Sequence, residues 1–343
     1  MSTRALSTRA ASIKSIVTKS LSFAALALAA VGLTVPAFHT AQAAGKPSEI
    51  RLDYAYYNPV SLVLKEKGWL EEELKRDGIG VRWVLSLGSN KALEFLNAGS
   101  LDFGSTAGAA ALIARINGNP VKSVYVYSKP EWTALVTQGN SPIRKVEDLK
   151  GKRIAVTRGT DPHIFLVRAL AAHGLTDRDA KLVLLQHQDG RAALEKGDVD
   201  AWAGLDPLMA QAELDFGAHL FYRNPGANSW GILNTREDFA KDHPELVGKV
   251  IEAYEKARAY ALTNPNELKT TIATAAKLSE QVAGRQLERT ELTHSAIGEA
   301  QKATILEAGL ALQQAGVVNA DVDVRATVDA LIDGSFTSKL AQK

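Results

Sequence analysis

Cysteine is absent from all 343 residues. That excludes disulfides, a thiolate nucleophile, a zinc–thiolate site and a lipid-modified cysteine behind the N-terminal apolar run. Charge of one sign is also missing: 40 Lys and Arg stand against 38 Asp and Glu, a net charge of +2. The basic residues are interleaved with acids, as in the run from Lys67 to Gly78. No basic stripe with aromatics between its members exists, which argues against a nucleic-acid partner. Metal spacing is lacking too, because His163, His173, His187, His219 and His243 fall on different elements without an HExxH pattern. Neither a P-loop nor a GxGxxG follows a strand, so no cofactor and no metal are expected. What the chain does have is 46% apolar residues, enough for a large core in two lobes.

Residues 1 to 43 read as a secretory signal peptide. Arg4, Arg9, Lys14 and Lys19 form a positive segment, Leu21 to Val35 an apolar stretch, and Ala41-Gln42-Ala43 a small-residue cleavage site. The apolar run is too short and too alanine-rich for a transmembrane helix. The expectation is export to the periplasm, with cleavage after Ala43.

The chain reads as organised around Lys152 to Gly174, where a buried strand, Arg153 to Val156, runs through a short polar loop into a helix, Pro162 to Ala172. Gly159 allows close backbone approach, Asp161 can cap, and Pro162 sits where a missing N–H costs nothing. Loops of this kind, at carboxyl ends of strands and leading into helices, are where open α/β sheets bind small ligands. Before it, strands at Ile50–Tyr54 and Val81–Leu85 alternate with helices at Pro59–Lys67 and Asn90–Ala98, and Ser105-Thr106 should open a helix from Ala107 to Ile116. After it, a strand at Leu182–Gln186, a helix at Arg191–Lys196 and a strand at Val199–Ala203 repeat the pattern. From Glu237 on the chain reads as helices packed on something else, with no chemistry of their own. Alternation of this kind indicates βαβ units and mainly parallel sheets.

One internal correspondence ties the halves together: Leu96 to Phe103 and Leu194 to Ala201 match at Leu, Gly, an aliphatic residue and Asp. Two lobes of similar design would face a shared cleft. Candidate residues there have competing readings. Ser105 and Thr106 either hold an anion or cap a helix, and His163 either packs locally or touches a ligand. Trp202 and Trp230 either wall the cleft or fill a core. Asp206 is better read as a cap than as a ligand contact. Tyr56 and Tyr57 end the first strand, and one of them should point inward. A Ser-His-Asp triad from Ser105, His163 and Asp161 is set aside, since an Asp and a His opening one helix rarely take the required geometry.

GSLDFGSTAG, DLKGKRIAV with its TRGTDPH loop, VDAWAGLDP and NSWGILNTREDFAKDHPELV together resemble the periplasmic substrate-binding proteins of the aliphatic-sulfonate, taurine and nitrate type of ABC transporter. The resemblance implies a two-lobe, type II periplasmic binding fold, α/β, with each lobe a mainly parallel sheet flanked by helices and hinged by two crossover segments. Lobe 1 would comprise 48–135 plus 236–343, and lobe 2 136–235. Carried over position by position, the cleft would be lined by Tyr56, Asn58, Gly88, Ser105, Thr106, Gly159, Thr160, Asp161, His163, Trp202, Asp206, Ser229 and Trp230. The implied function is delivery of a small organic anion, foremost an aliphatic sulfonate, to a membrane permease by a monomeric protein. Taurine, nitrate, an aromatic sulfonate or a thiamine-precursor pyrimidine are the alternative solutes. A sensor role is a further reading, and an exported enzyme on the same fold a less favoured one, because the related desulfinases and pyrimidine-precursor synthases rest on cysteines. One departure stands out. Sulfonate-binding members tend to carry small hydroxyl residues where this chain has Asp161, so its carboxylate should turn back onto its own helix.

Overall fold

A computed structural model describes residues 45–338; the expected signal peptide lies outside the described residues. The first sheet begins with β1 (Glu49–Tyr54), α1 (Pro59–Lys67), α2 (Trp69–Lys75), β2 (Gly80–Leu85), α3 (Ser89–Asn97), β3 (Phe103–Ala107), α4 (Gly108–Ile116) and β4 (Val121–Pro130). The second holds β5 (Leu135–Thr137), β6 (Arg153–Val156), α5 (Asp161–Ala172), β7 (Lys181–Leu184), α6 (His187–Lys196), β8 (Ala201–Ala203), α7 (Leu208–Phe216) and β9 (His219–Tyr222). The chain then returns through β10 (Gly231–Arg236), α8 (Glu237–Asp242), α9 (Pro244–Thr263), α10 (Pro265–Ala276), α11 (Glu280–Glu288), β11 (Thr290–Glu291), α12 (Glu299–Gln314) and α13 (Val324–Leu331). Strand orders are β11-β4-β10-β3-β1-β2 and β7-β6-β8-β5-β9.

Both sheets are mixed, which corrects the expectation of mainly parallel ones. Strands reached through a helix pair parallel, as β1 does with β2 and β3 and β6 with β7 and β8. Strands β4, β5 and β10 flank the direct passages between the sheets. β5 and β10 enter their sheets by these passages without a crossover helix, and they run antiparallel to their neighbours, β5 to β8 and β9 and β10 to β3 and β4. β10 lies in the first sheet, between β4 and β3, although the sequence reading placed most of it in the second lobe. Among the described residues no helix is long and apolar enough to cross a membrane.

Period-two patterning sets the second sheet's two faces. Ile154, Val156, Ala201 and Ala203 pack under α5 with Phe165, Leu166 and Leu170. Ala155 and Trp202 face the other way, onto Leu194 and Met209 of α6 and α7. Trp202 is fully buried, and it is core rather than a cleft wall. The packing is so close that a side chain at Gly190 of α6 would meet Trp202 Nε1 at 2.9 Å.

The internal repeat has a structural cause. Asp102, just before β3, accepts hydrogen bonds from the Arg51 backbone N–H (2.8 Å) and from its guanidinium (3.0 and 2.7 Å), while Arg51 Nη1 donates to Gly99 O. Asp200, just before β8, does the same for Arg153, whose Nη2 reaches Gly197 O. In each half, the Gly turn and the Asp fasten the start of the neighbouring strand. The two are not equally buried: the Asp102 side chain is 3% exposed and also pairs with Arg236, whereas that of Asp200 is 33% exposed. Removing one partner of a buried ion pair strands the other charge, and exposed pairs are worth little. Asp102→Ala should therefore cost about 3–5 kcal/mol in chemical denaturation and Asp200→Ala a small part of that. Equal losses would show that burial does not separate the two repeats.

Candidate functional site

A cavity of about 420 Å³ opens between the two sheets. Its walls come from the loop after β1 (Tyr56, Tyr57), the loop after β2 (Ser86, Leu87), the start of α6 (Gln186, His187, Gln188, Arg191), the loop after β8 (Leu205 to Leu208, with Gln211) and the turn between α10 and α11 (Ala276 to Leu278). Every wall but the last is the carboxyl end of a strand or the start of a helix. The helical tail, read from sequence as having no chemistry, therefore supplies part of the cleft.

The loop after β1 is pinned by a buried network. Asn58 caps α1 by accepting from Ser61 N (3.1 Å) and donates to Ser105 Oγ (2.7 Å). Ser105 N and Oγ both donate to Asp53 Oδ1 at 2.8 Å, and Tyr57 Oη donates to Ser105 O. Ser105 and Thr106 thus serve the interior, not the cavity. They sit inside β3 because β10 pairs with that strand as far as Ala107, and Thr106 Oγ1 is engaged by Asn234 Nδ2 at 2.7 Å. Tyr57 and Tyr56 both line the cavity, Tyr57 almost wholly buried and Tyr56 partly.

Asp161 is not turned back onto its helix. Thr160 occupies the capping position and Asp161 is the first helical residue. Its carboxylate accepts from Trp132 Nε1 (2.7 Å), Ser229 N (3.0 Å) and Ser229 Oγ (2.7 Å). Trp132 and Ser229 lie on the two passages between the sheets, and their donors draw the side chain away from its own backbone. Burial raises the pKa of Asp161, and these hydrogen bonds oppose the rise. Thr160 Oγ1 donates to Thr157 O. Thr160, Asp161, Ser89, Tyr57 and Trp132 enclose a void of about 10 Å³, room for about one water.

His163 is half-buried and outside the cavity wall. Burial first, and Arg158 second, lower its pKa, so it is not a source of positive charge. Trp230 packs edge-on against His294 at 5.0 Å and donates to Thr304 Oγ1, away from the cavity. Asp206 does line the cavity and also accepts from Ala210 N of α7 at 2.9 Å, the capping role read from sequence. Burial pushes its carboxyl up to about 7, against the pull of Arg289. Arg289, just past α11, faces Asp206 at 3.5 Å and also pairs with Glu213 of α7.

Gly88 and Gly159 mark where the two halves touch. A side chain at Gly88 would meet Asn90 Oδ1 at 2.8 Å and His187 Nε2 at 2.9 Å, and one at Gly159 would come within 3.7 Å of Asn90 Cβ. The starts of α3, α5 and α6 therefore converge. Several buried polar atoms here have no partner: Ser86 Oγ, Asn90 Oδ1, His187 Nε2 and Arg191 Nη1. Arg191 Nε faces Glu195 at 3.5 Å, an ion pair without a hydrogen bond. Buried orphans of this kind are rare unless something binds them. Arg191 and Lys277 stand in the wall with Asp206, so the lining carries two cationic side chains to one carboxyl. Among the described residues, no group of three or more His, Asp or Glu is placed to hold a metal.

Gln186, His187, Gln188 and Arg191 escaped the sequence reading as site residues. Their signal was present: Leu182–Gln186 reads as a strand, and polar residues follow directly.

Two α/β sheets joined by two passages, with a cavity at their facing strand ends, define the periplasmic-binding-protein architecture. The chain belongs to the NMT1/THI5-like family, which matches residues 60–268. It is 31% identical over 229 residues to an aliphatic sulfonates-binding protein of Escherichia coli (strain K12), covering 66% of this chain and 71% of that protein. It is 26% identical over 298 residues to a protein of the same name from Bacillus subtilis (strain 168), covering 86% and 89%. The solved alkanesulfonate-binding protein of Xanthomonas axonopodis pv. citri, bound to MOPS, superposes with a TM-score of 0.77 at 26% identity over 84% of this chain and 99% of that one.

Asp53 offers a pH test of the network beneath Tyr57. Burial raises its pKa from 3.8 to about 6, against the hydrogen bonds from Ser105. A carboxyl raised on folding costs nothing below its unfolded pKa, and its penalty grows as pH climbs to the folded value. Asp53→Asn should therefore gain stability relative to the wild type between about pH 4 and 6, by up to about 3 kcal/mol. Urea titrations at pH 4 and 7 that show a constant difference would refute the assignment.

Proposed function

We propose that this protein is the exported solute-binding component of an ABC importer, and that it takes a small organic anion, foremost an aliphatic sulfonate, in the cavity between its sheets. The observation that carries the reading is Arg191, a residue of the cavity wall whose Nη1 is buried and unpartnered, while its guanidinium lies 3.5 Å from Glu195 and over the Phe216 ring at 5.6 Å. An Arg held this way is suited to a planar or tetrahedral oxyanion. The converging starts of α3, α5 and α6 add free N–H groups and favourable dipoles. The names of the Escherichia coli and Bacillus subtilis relatives support the sulfonate.

On this reading the lobes are about 48–130 with 231–338, and 135–222. They close on the solute because each supplies part of its wall. Export follows from a cleaved signal peptide ending at Ala43, and the protein acts as a monomer that hands its solute to a membrane permease. On this reading it is a binder and not an enzyme, which the names of the two binding-protein relatives support. Among the groups expected at the cleft, Tyr56 and Asp206 stand in the cavity wall, and Gly88 lies behind it against His187. Asn58, Ser105, Asp161 and Ser229 support the walls from behind.

A thermal-shift screen of alkanesulfonates, taurine, nitrate, aromatic sulfonates and pyrimidines tests this. A solute at a hundred times its Kd stabilises by about 2.7 kcal/mol, an easily read rise in melting point. Arg191→Gln should weaken the best anion about ten- to a hundred-fold by calorimetry. Unchanged affinity would remove Arg191 from the site, and a preference for neutral pyrimidines would remove the anion.

A further inference from the structure

His187, the first residue of α6, is 3% exposed and faces the cavity, with Nε2 unpartnered next to Gly88. Its tautomer follows from its neighbours. Thr157 Oγ1 has a single hydrogen, which it donates to Leu185 O at 2.7 Å. The same oxygen lies 3.2 Å from His187 Nδ1, so the hydrogen between them belongs to Nδ1. The other ring nitrogen is then a bare lone pair. Burial drives the imidazole down to about 3, and the ring stays neutral in ordinary conditions. An oxyanion placed against that lone pair would be repelled; a donor would satisfy it.

Arg191 stands four residues on, one turn along the same face of α6. Charge recognition and the lone pair are therefore about 5–6 Å apart at their Cβ atoms. We propose that the cavity selects a short sulfonate bearing an N–H or O–H donor, with its anionic group on Arg191 and its donor on His187 Nε2. This rests on the solute-site reading above and adds a specificity residue to it. Thr157 is the positioning residue that fixes the tautomer, and Asn90 Oδ1, also unpartnered beside Gly88, is a second acceptor for the same donor.

Nitrogen NMR of the ¹⁵N-histidine-labelled protein, combined with calorimetry on matched solutes, tests this. The free protein should show His187 protonated on Nδ1 alone. Hydroxyethanesulfonate or aminoethanesulfonate should bind about ten-fold tighter than ethanesulfonate and shift the Nε2 resonance. Thr157→Val should release the tautomer and shrink that preference, and Thr157→Ser should restore it. A proton on Nε2, or equal affinity for the donor-bearing and donor-free sulfonates, overturns the inference and leaves the solute site standing. Conversely, hydroxypropionate preferred over propionate with no sulfonate bound would sink the sulfonate reading and keep the donor preference. Silence from all five compounds overturns both.

Discussion

The carboxylate of Asp161 is the point on which the two halves depend. It belongs to the helix that opens the second sheet's main loop, yet its three hydrogen bonds go to Trp132 and Ser229, one on each passage between the sheets. A buried carboxylate without partners would be prohibitive, so the three donors must be in place together. From Trp132 the connection continues as ring contacts, edge-on to Tyr57 at 5.9 Å and tilted to Tyr127 at 6.5 Å. Tyr57 in turn donates to Ser105 O above Asp53. A continuous chain of packed and hydrogen-bonded groups thus runs from α5 through both passages to β1 and β3, and it sets the starts of α3 and α5 against each other.

That arrangement accounts for what was legible in the sequence and what was not. Local devices could be read directly: Asn58 caps α1, Gly68 ends it in the left-handed conformation, and the Gly–x–x–Asp repeat recurs as the two strand clasps of Asp102 and Asp200. Each is settled within a few residues or by one neighbouring strand. Ser105, Thr106 and Trp202 were misplaced or left open because their roles depend on which strand pairs beside them and which face is covered. Asp161 looked like a cap because Asp before Pro is a good one, but two distant segments bring stronger partners. The start of α6 was read four residues late because Gly190 suggests a loop. Its backbone is helical all the same, held against the Trp202 ring where a larger residue would not fit.

Chemistry concentrates where local rules are least obeyed. The buried polar atoms left unpartnered around the cavity cluster at the junction of α3 and α6, where both helices begin and neither has a side-chain cap. A fold that satisfies Asp161 with three donors and Ser105 from both sides, yet leaves Ser86, Asn90, His187 and Arg191 short, has reserved those groups. The opposite wall behaves differently: Asp206 is tied to Ala210 and faces Arg289, which also holds Glu213. Those groups are paired with one another across the two halves, so they steady the approach of α7 to α11. The α6 side differs, because His187 and Arg191 stand one turn apart in the cavity wall with buried nitrogens that no protein group hydrogen-bonds.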